Sequence, residues 1–173
     1  MIMPKSYKAF KDDIKKWLEP RISGDVLDVG PGIGTYSDLL SINNIDAVEI
    51  FKPYIKKYHL IDKYRYVYNM DIMEFDHFER YEWVILGDVL EHIKVEDAQF
   101  LINKITKVGC KCLVAVPYLF HQGESEGNIY EIHHQFDLTP RIMLERYPEL
   151  EHLIGNIHYG YYVNFLPYNI KNI

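Results

Sequence analysis

The sequence predicts an α/β protein built on a mostly parallel, doubly wound sheet with helices on both faces and an antiparallel C-terminal strand. Three observations carry this reading. Apolar or β-branched runs recur at 25–29, 46–50, 66–70, 82–87 and 111–116, and the segments between them place Lys, Glu and Asn outside in helical patterns, which is a βαβ series. The first run, residues 26–29, stops at glycines in alternate positions, Gly30, Gly32 and Gly34, with Pro31 between the first two. Two last runs, 152–158 and 160–167, are joined by a tight turn near Tyr159 and Gly160 and suit an antiparallel close to the sheet. Ligands of such sheets sit beyond the carboxyl ends of the strands. Every candidate functional residue below falls at such an end.

A length of 173 residues with 48% hydrophobic content supports one sizeable core and a single domain over 1–173. The formal charge of -6 argues against a nucleic-acid or anionic-membrane partner and favours small molecules or neutral polymers. Cys110 and Cys112 alternate in one strand, so their side chains share a face and read as free thiols of a reducing compartment. The N-terminus has no apolar core of signal-peptide length, and no stretch approaches the roughly 18 apolar residues of a membrane span. A soluble, cytoplasmic protein is expected.

Taken in order, residues 6–19 place Tyr7, Phe10, Ile14, Trp17 and Leu18 at helical spacing and Pro20 closes the segment, so residues 1–20 are expected to form a lid helix. The glycines after the first strand let backbone approach a ligand closely, and the next helix turns free N–H groups toward it. The dinucleotide fingerprint G-x-G-x-x-G would need glycine at position 35, where Thr35 stands. Asp28, two residues before Gly30, would repel a pyrophosphate but suits an ammonium or sulfonium group. S-adenosylmethionine carries both cations. An acidic residue followed by G-x-G-x-G, here Asp28, Gly30, Gly32 and Gly34, resembles the first motif of the class I S-adenosylmethionine-dependent methyltransferases. The resemblance covers roughly the whole chain on a count of segments. It implies the Rossmann-like seven-stranded methyltransferase fold and S-adenosylmethionine as cofactor, with Pro31 in the same cradle.

Glu49 ends the second strand about 20 residues past the first glycine, where a carboxylate accepts both ribose hydroxyls, with Ile50 beside it. A solvated strand-end carboxylate is the plainer alternative. Asp71 closes the third strand. The resemblance gives it the adenine amino group and gives Ile72 the ring face, while Asp71 also suits the N-cap of the next helix. The end of the fourth strand reads Asp88-Val-Leu-Glu-His and resembles the V-L-E-H segment of small-molecule methyltransferases, which puts Asp88 beside the methionine part of the cofactor. Glu91 and His92 follow at the mouth if a helical turn begins there. His92 is a candidate general base because its free pKa lies near neutrality, or else a structural histidine bonded to a loop carbonyl.

Residues 118–136 form a long polar segment on the substrate side, and loops of that length are often functional. Tyr118, His121, Glu131 and His134 are its candidate substrate contacts, and His133 is a second candidate base. Imidazoles and carboxylates in this segment also suit a divalent metal. In an extended segment, however, His133 and His134 point to opposite sides, so no metal site is expected. Thr139 and Pro140 then start a helix that stops before Pro148. Most of the 15 tyrosines are read as core.

The expected activity is methyl transfer to an oxygen or nitrogen of a small-molecule or glycan-type acceptor. The chain lacks an Asn/Asp-Pro-Pro-Tyr amino-methylation signature after strand four. A monomer or a homodimer is open, the latter through the aromatic N-terminal helix or the tail at Ile170–Ile173. One alternative is a catalytically silent S-adenosylmethionine-binding partner or sensor domain. A second is an NAD-dependent oxidoreductase, which Thr35 and the lack of a substrate domain oppose.

Overall fold

A computed structural model describes residues 10–165, so Tyr7 and the Ile170–Ile173 tail lie outside the described residues. Seven strands, β1 (Val26–Val29), β2 (Ile45–Val48), β3 (Val67–Tyr68), β4 (Trp83–Gly87), β5 (Lys111–Pro117), β6 (Glu151–Gly155) and β7 (Tyr159–Val163), form one sheet. Their order is β3-β2-β1-β4-β5-β7-β6. The pairs from β3 to β5 are parallel, and β7 runs antiparallel to both β5 and β6. The last strand is therefore inserted between its neighbours rather than added at the edge. The turn also sits earlier than expected. Asn156 Oδ1 accepts the backbone N–H of His158 at 2.8 Å and of Tyr159 at 3.0 Å, closing the turn over 156–158 and leaving Tyr159 and Gly160 in β7.

The two sheet faces carry two cores, set by the alternation of side chains along each strand. Leu27, Val84, Leu86, Val114 and Val116 face α5 (Val95–Lys107), α6 (Pro140–Arg146) and the chain between β3 and β4. Val26, Trp83, Ile85, Leu113 and Ala115 face α1 (Lys11–Leu18), α2 (Thr35–Leu39), α3 (Lys52–Lys57) and α4 (Leu60–Lys63). Each fully buried Leu, Val or Ile contributes about 1.5–3 kcal/mol relative to exposure. The central strands β1, β4 and β5 therefore form a rigid floor. Cys110 and Cys112 share the first face as free thiols.

Two expectations are corrected here. The described part of the N-terminal segment is a core helix. Ile14, Trp17 and Leu18 of α1 are buried, and Trp17 meets Trp83 edge-on at 5.9 Å, so its aromatic face is covered rather than exposed. The β3–β4 connection holds no α-helix, only single turns at 72–74 and 78–80. Phe75, Phe78 and Tyr81 fill its place, and Phe75 meets Tyr68 and Phe78 edge-on with centroids 5.3 and 5.2 Å apart. The helix α6 starts as expected. Thr139 Oγ1 accepts the Ile142 N–H at 3.1 Å, with Pro140 in the first turn. No helix among the described residues is long and apolar enough to cross a membrane.

Candidate active site

A cavity of ≈ 610 Å³ opens beyond the carboxyl ends of β1, β2, β4 and β5. Gly30, Pro31 and Gly32 form one wall. Gly30 and Gly32 have φ of 58° and 53°, a left-handed backbone that side chains disfavour, and a Cβ on Gly30 would meet Val89 Cγ2 at 3.0 Å. Gly34 is off the wall. It caps α2 with φ 84°, where an added Cβ would lie 2.6 Å from Lys63 Cδ, so its glycine serves the turn.

Glu49 and Ile50 follow β2 and also line the cavity. Glu49 Oε1 accepts the Phe51 N–H at 2.8 Å, and Asn69 Nδ2 donates to its carbonyl at 2.8 Å, which fixes the side chain at the rim. Burial pushes its carboxyl up to about 7. Asp71 accepts the Met73 N–H at 2.9 Å and also lines the cavity, as does Ile72, so the capping residue is presented to the cavity as well.

Asp88 ends β4 with φ 58° and accepts the Tyr159 hydroxyl on Oδ1 at 2.7 Å. It lies on the wall; Asp28 does not. Alternation in β1 turns Asp28 to the α2/α4 face, where its Oδ2 accepts the Tyr64 hydroxyl at 2.5 Å and burial lifts its carboxyl to about 7. The expected contact of Asp28 with a cationic ligand is replaced by a structural hydrogen bond. Nearby, Lys11 Nζ is buried 4.3 Å from the Tyr36 ring centroid, and burial lowers its amine to about 8.

The long loop is fastened to the turn at 90–92. The backbone N–H groups of His134 and Gln135 donate to the Glu91 carbonyl at 2.7 and 3.0 Å. Gln135 Nε2 donates to the carbonyls of Leu90 and Ile93 at 2.7 and 2.9 Å. This clamp sets His133 beside His92, with ring centroids 4.6 Å apart at 80°. His133 is buried and His134 exposed, the opposite orientation that an extended segment requires. Burial, then the neighbouring His133, lowers the His92 imidazole to about 4, and burial also lowers His133. A base of pKa near 4 is weak at neutral pH, so His92 is not poised for the unaided general-base role.

Glu131 lines the cavity and accepts Gln122 Nε2 at 2.9 Å. Tyr118 offers its ring to the cavity, since its hydroxyl bonds that of Tyr162. His134 stands on the wall as well. His121 is exposed, packs near Phe136 at 5.4 Å and is off the wall, which corrects its expected substrate contact. Sequence reasoning placed Glu91 at the mouth without giving it a role, and gave none to Tyr159 or Gln135. Only Glu91 carried a signal, its position beside His92 in the Leu90-Glu-His92 turn.

No protein-family model matches the sequence, and no curated protein is significantly similar to it. Solved structures do match. An S-adenosylmethionine-dependent methyltransferase from Clostridium acetobutylicum ATCC 824 superposes with TM-score 0.65 at 12% identity, over 92% of each chain. The methyltransferase domain of bacterial CtHen1-CN gives TM-score 0.65 at 20% identity, over 88% of this chain and 95% of that one. The glycopeptide N-methyltransferase MtfA complexed with S-adenosyl-L-methionine gives 0.57 at 13%, over 88% and 85%. At these identities the likeness establishes the Rossmann-like, seven-stranded fold of class I methyltransferases.

Proposed function

We propose that the chain is an S-adenosylmethionine-dependent methyltransferase acting on a small-molecule acceptor. The observation that carries this is one cavity in which a glycine cradle meets three acidic strand ends, Glu49, Asp71 and Asp88. These residues fit the cofactor. The left-handed Gly30 and Gly32 admit it against the backbone, Glu49 takes ribose hydroxyls, Asp71 and Ile72 take the adenine edge and face, and Asp88 takes the ammonium. The volume falls within the about 300–1,000 Å³ typical of ligand pockets. When bound, the cofactor supplies a sulfonium-activated methyl group.

The protein's own contribution is chiefly positioning. Tyr118, Glu131 and His134 stand on the part of the wall that the cofactor contacts leave to an acceptor. Aligning a nucleophile with a methyl donor contributes roughly 7–11 kcal/mol, more than the 10²–10⁴-fold, or about 3–5 kcal/mol, of a general base. The test is calorimetric titration with S-adenosylmethionine and S-adenosylhomocysteine. Micromolar binding that is lost in Gly30→Val and Glu49→Ala supports the reading; no binding to the wild-type protein overturns it.

A further inference from the structure

Glu91, His92 and His133 meet on the cavity wall although they come from two distant segments, the turn after β4 and the long loop. Each offers a ligand atom, and these atoms all lie within 4.8 Å of one another. Both carboxylate oxygens of Glu91 are buried with no hydrogen-bond partner among the described residues, and so is Nδ1 of His92. Glu91 is only 1% exposed, so water does not reach it freely. Buried polar groups are nearly always paired, and a buried carboxylate without a donor is costly.

His133 adds an independent sign. Its Nδ1 lies 2.8 Å from the Phe120 carbonyl, which only accepts, so Nδ1 carries the proton and Nε2 of the neutral ring holds a lone pair. A backbone carbonyl behind one imidazole nitrogen is the support commonly given to a metal-bound histidine. His133 thus brings a nitrogen acceptor, not a donor, to the cluster that holds the two unpaired carboxylate oxygens of Glu91. Asp88 and Glu131 on the same wall deepen the negative potential. A water molecule has two protons to give, too few for two carboxylate oxygens and the His133 nitrogen. A cation answers all of them.

We propose that Glu91, His92 and His133 bind one divalent transition-metal ion, and that its open positions take an oxygen of the methyl acceptor. The second half rests on the methyltransferase reading. Two imidazoles and a carboxylate suit zinc, iron(II) or manganese(II) and leave coordination positions open. A hydroxyl bound there releases its proton to solvent water more readily, which supplies the activation that the neutral histidines lack. The acceptor class narrows from oxygen or nitrogen to oxygen.

The experiment is titration of the metal-free protein with Mn²⁺, followed by electron paramagnetic resonance, with S-adenosylhomocysteine calorimetry on the same samples. Expected are one bound ion per chain, displacement of Mn²⁺ by Zn²⁺, and a loss of affinity of roughly 10²-fold or more in Glu91→Gln and His133→Asn. Both variants should keep their S-adenosylhomocysteine affinity, which shows them folded. If Glu91→Gln fails to fold, His133→Asn decides. Absence of bound Mn²⁺ and Zn²⁺ at millimolar concentration, or equal binding in folded variants, overturns the metal site. If the metal is absent while S-adenosylhomocysteine binds, only this proposal falls. If one ion binds while S-adenosylhomocysteine does not, the site stands and the acceptor role falls with the methyltransferase reading.

Discussion

Gln135 donates its side-chain amide to the Leu90 carbonyl at 2.7 Å, so the loop that carries His133 is tied to the turn that carries Glu91 and His92. The tie is buried, and the amide oxygen of Gln135 in turn accepts the Tyr147 hydroxyl at 2.8 Å. Gln135→Ala would strand the Ile93 carbonyl and the Tyr147 hydroxyl and leave the Leu90 carbonyl only its bond from the Ile93 N–H. Unsatisfied buried groups cost about 1–3 kcal/mol each, and partial relaxation brings the expected loss to about 2–4 kcal/mol in urea denaturation. Mn²⁺ affinity should fall in Gln135→Ala while S-adenosylhomocysteine affinity holds, because Gln135 itself does not line the cavity. A variant of wild-type stability would show that the loop is held elsewhere.

Acid stability should depend on Glu82. Burial alone would raise its carboxyl, but Lys111 and the N–H groups of Ser23 and Gly24, helped by the Ser23 hydroxyl, hold it down to about 2 from 4.5. The folded pKa is the lower one, so the unfolded chain binds the proton first. The stabilisation is present above pH 4.5 and is lost as pH falls toward 2. With solvent screening it amounts to about 1–2 kcal/mol. Denaturant melts between pH 5 and pH 2 should show a shallower decline in Glu82→Gln than in the wild type; parallel curves would remove Glu82 from the account.

Cofactor binding should release protons near neutral pH. Burial pushes the Glu49 carboxyl up to about 7 in the open cavity, and ribose hydroxyls that donate to it favour the ionised form. Binding then lowers that pKa, so S-adenosylhomocysteine affinity rises with pH as Glu49 ionises and levels off above about 7. Titration at pH 6.5 in two buffers of different ionisation enthalpy measures the released fraction. Glu49→Gln should abolish both the release and the slope, and a retained slope would place the titrating group elsewhere.

The βαβ order, the glycine cradle and the strand-end acids were legible because they rest on local rules. Alternation buries a run, glycine admits a left-handed backbone, and a strand end faces the ligand side. What was not legible depends on distant partners. The Glu91–His92–His133 meeting joins segments about 40 residues apart through Gln135, and neither period nor motif announces such a clamp. The β3–β4 crossover looked helical, yet Asp71 caps a single turn and three aromatics, Phe75, Phe78 and Tyr81, cover the sheet in the place of a helix. Asp28 was read by its spacing to Gly30. In a strand of period two its direction was already determined, but only the position of Tyr64 showed what it meets.

That direction has a consequence for Asp28 that separates a ligand contact from a structural one. Its folded carboxyl is raised from 3.8 to about 7 by burial, against the Tyr64 hydrogen bond and the more distant Lys11. The folded state therefore holds the proton that the unfolded chain gives up near pH 4. Stability carried by this group is fully present below pH 3.8 and declines as pH rises to about 7, by an amount of order 2–4 kcal/mol. Asn in its place has no proton to lose and still accepts from Tyr64. Asp28→Asn should be more stable than the wild type at pH 8, gain little at pH 4, and bind S-adenosylhomocysteine with nearly unchanged affinity. Asp28→Ala, which strands the Tyr64 hydroxyl, should lose about 1–3 kcal/mol relative to Asp28→Asn. Loss of cofactor affinity in a folded Asp28→Asn protein would instead put the carboxylate charge back at the ligand.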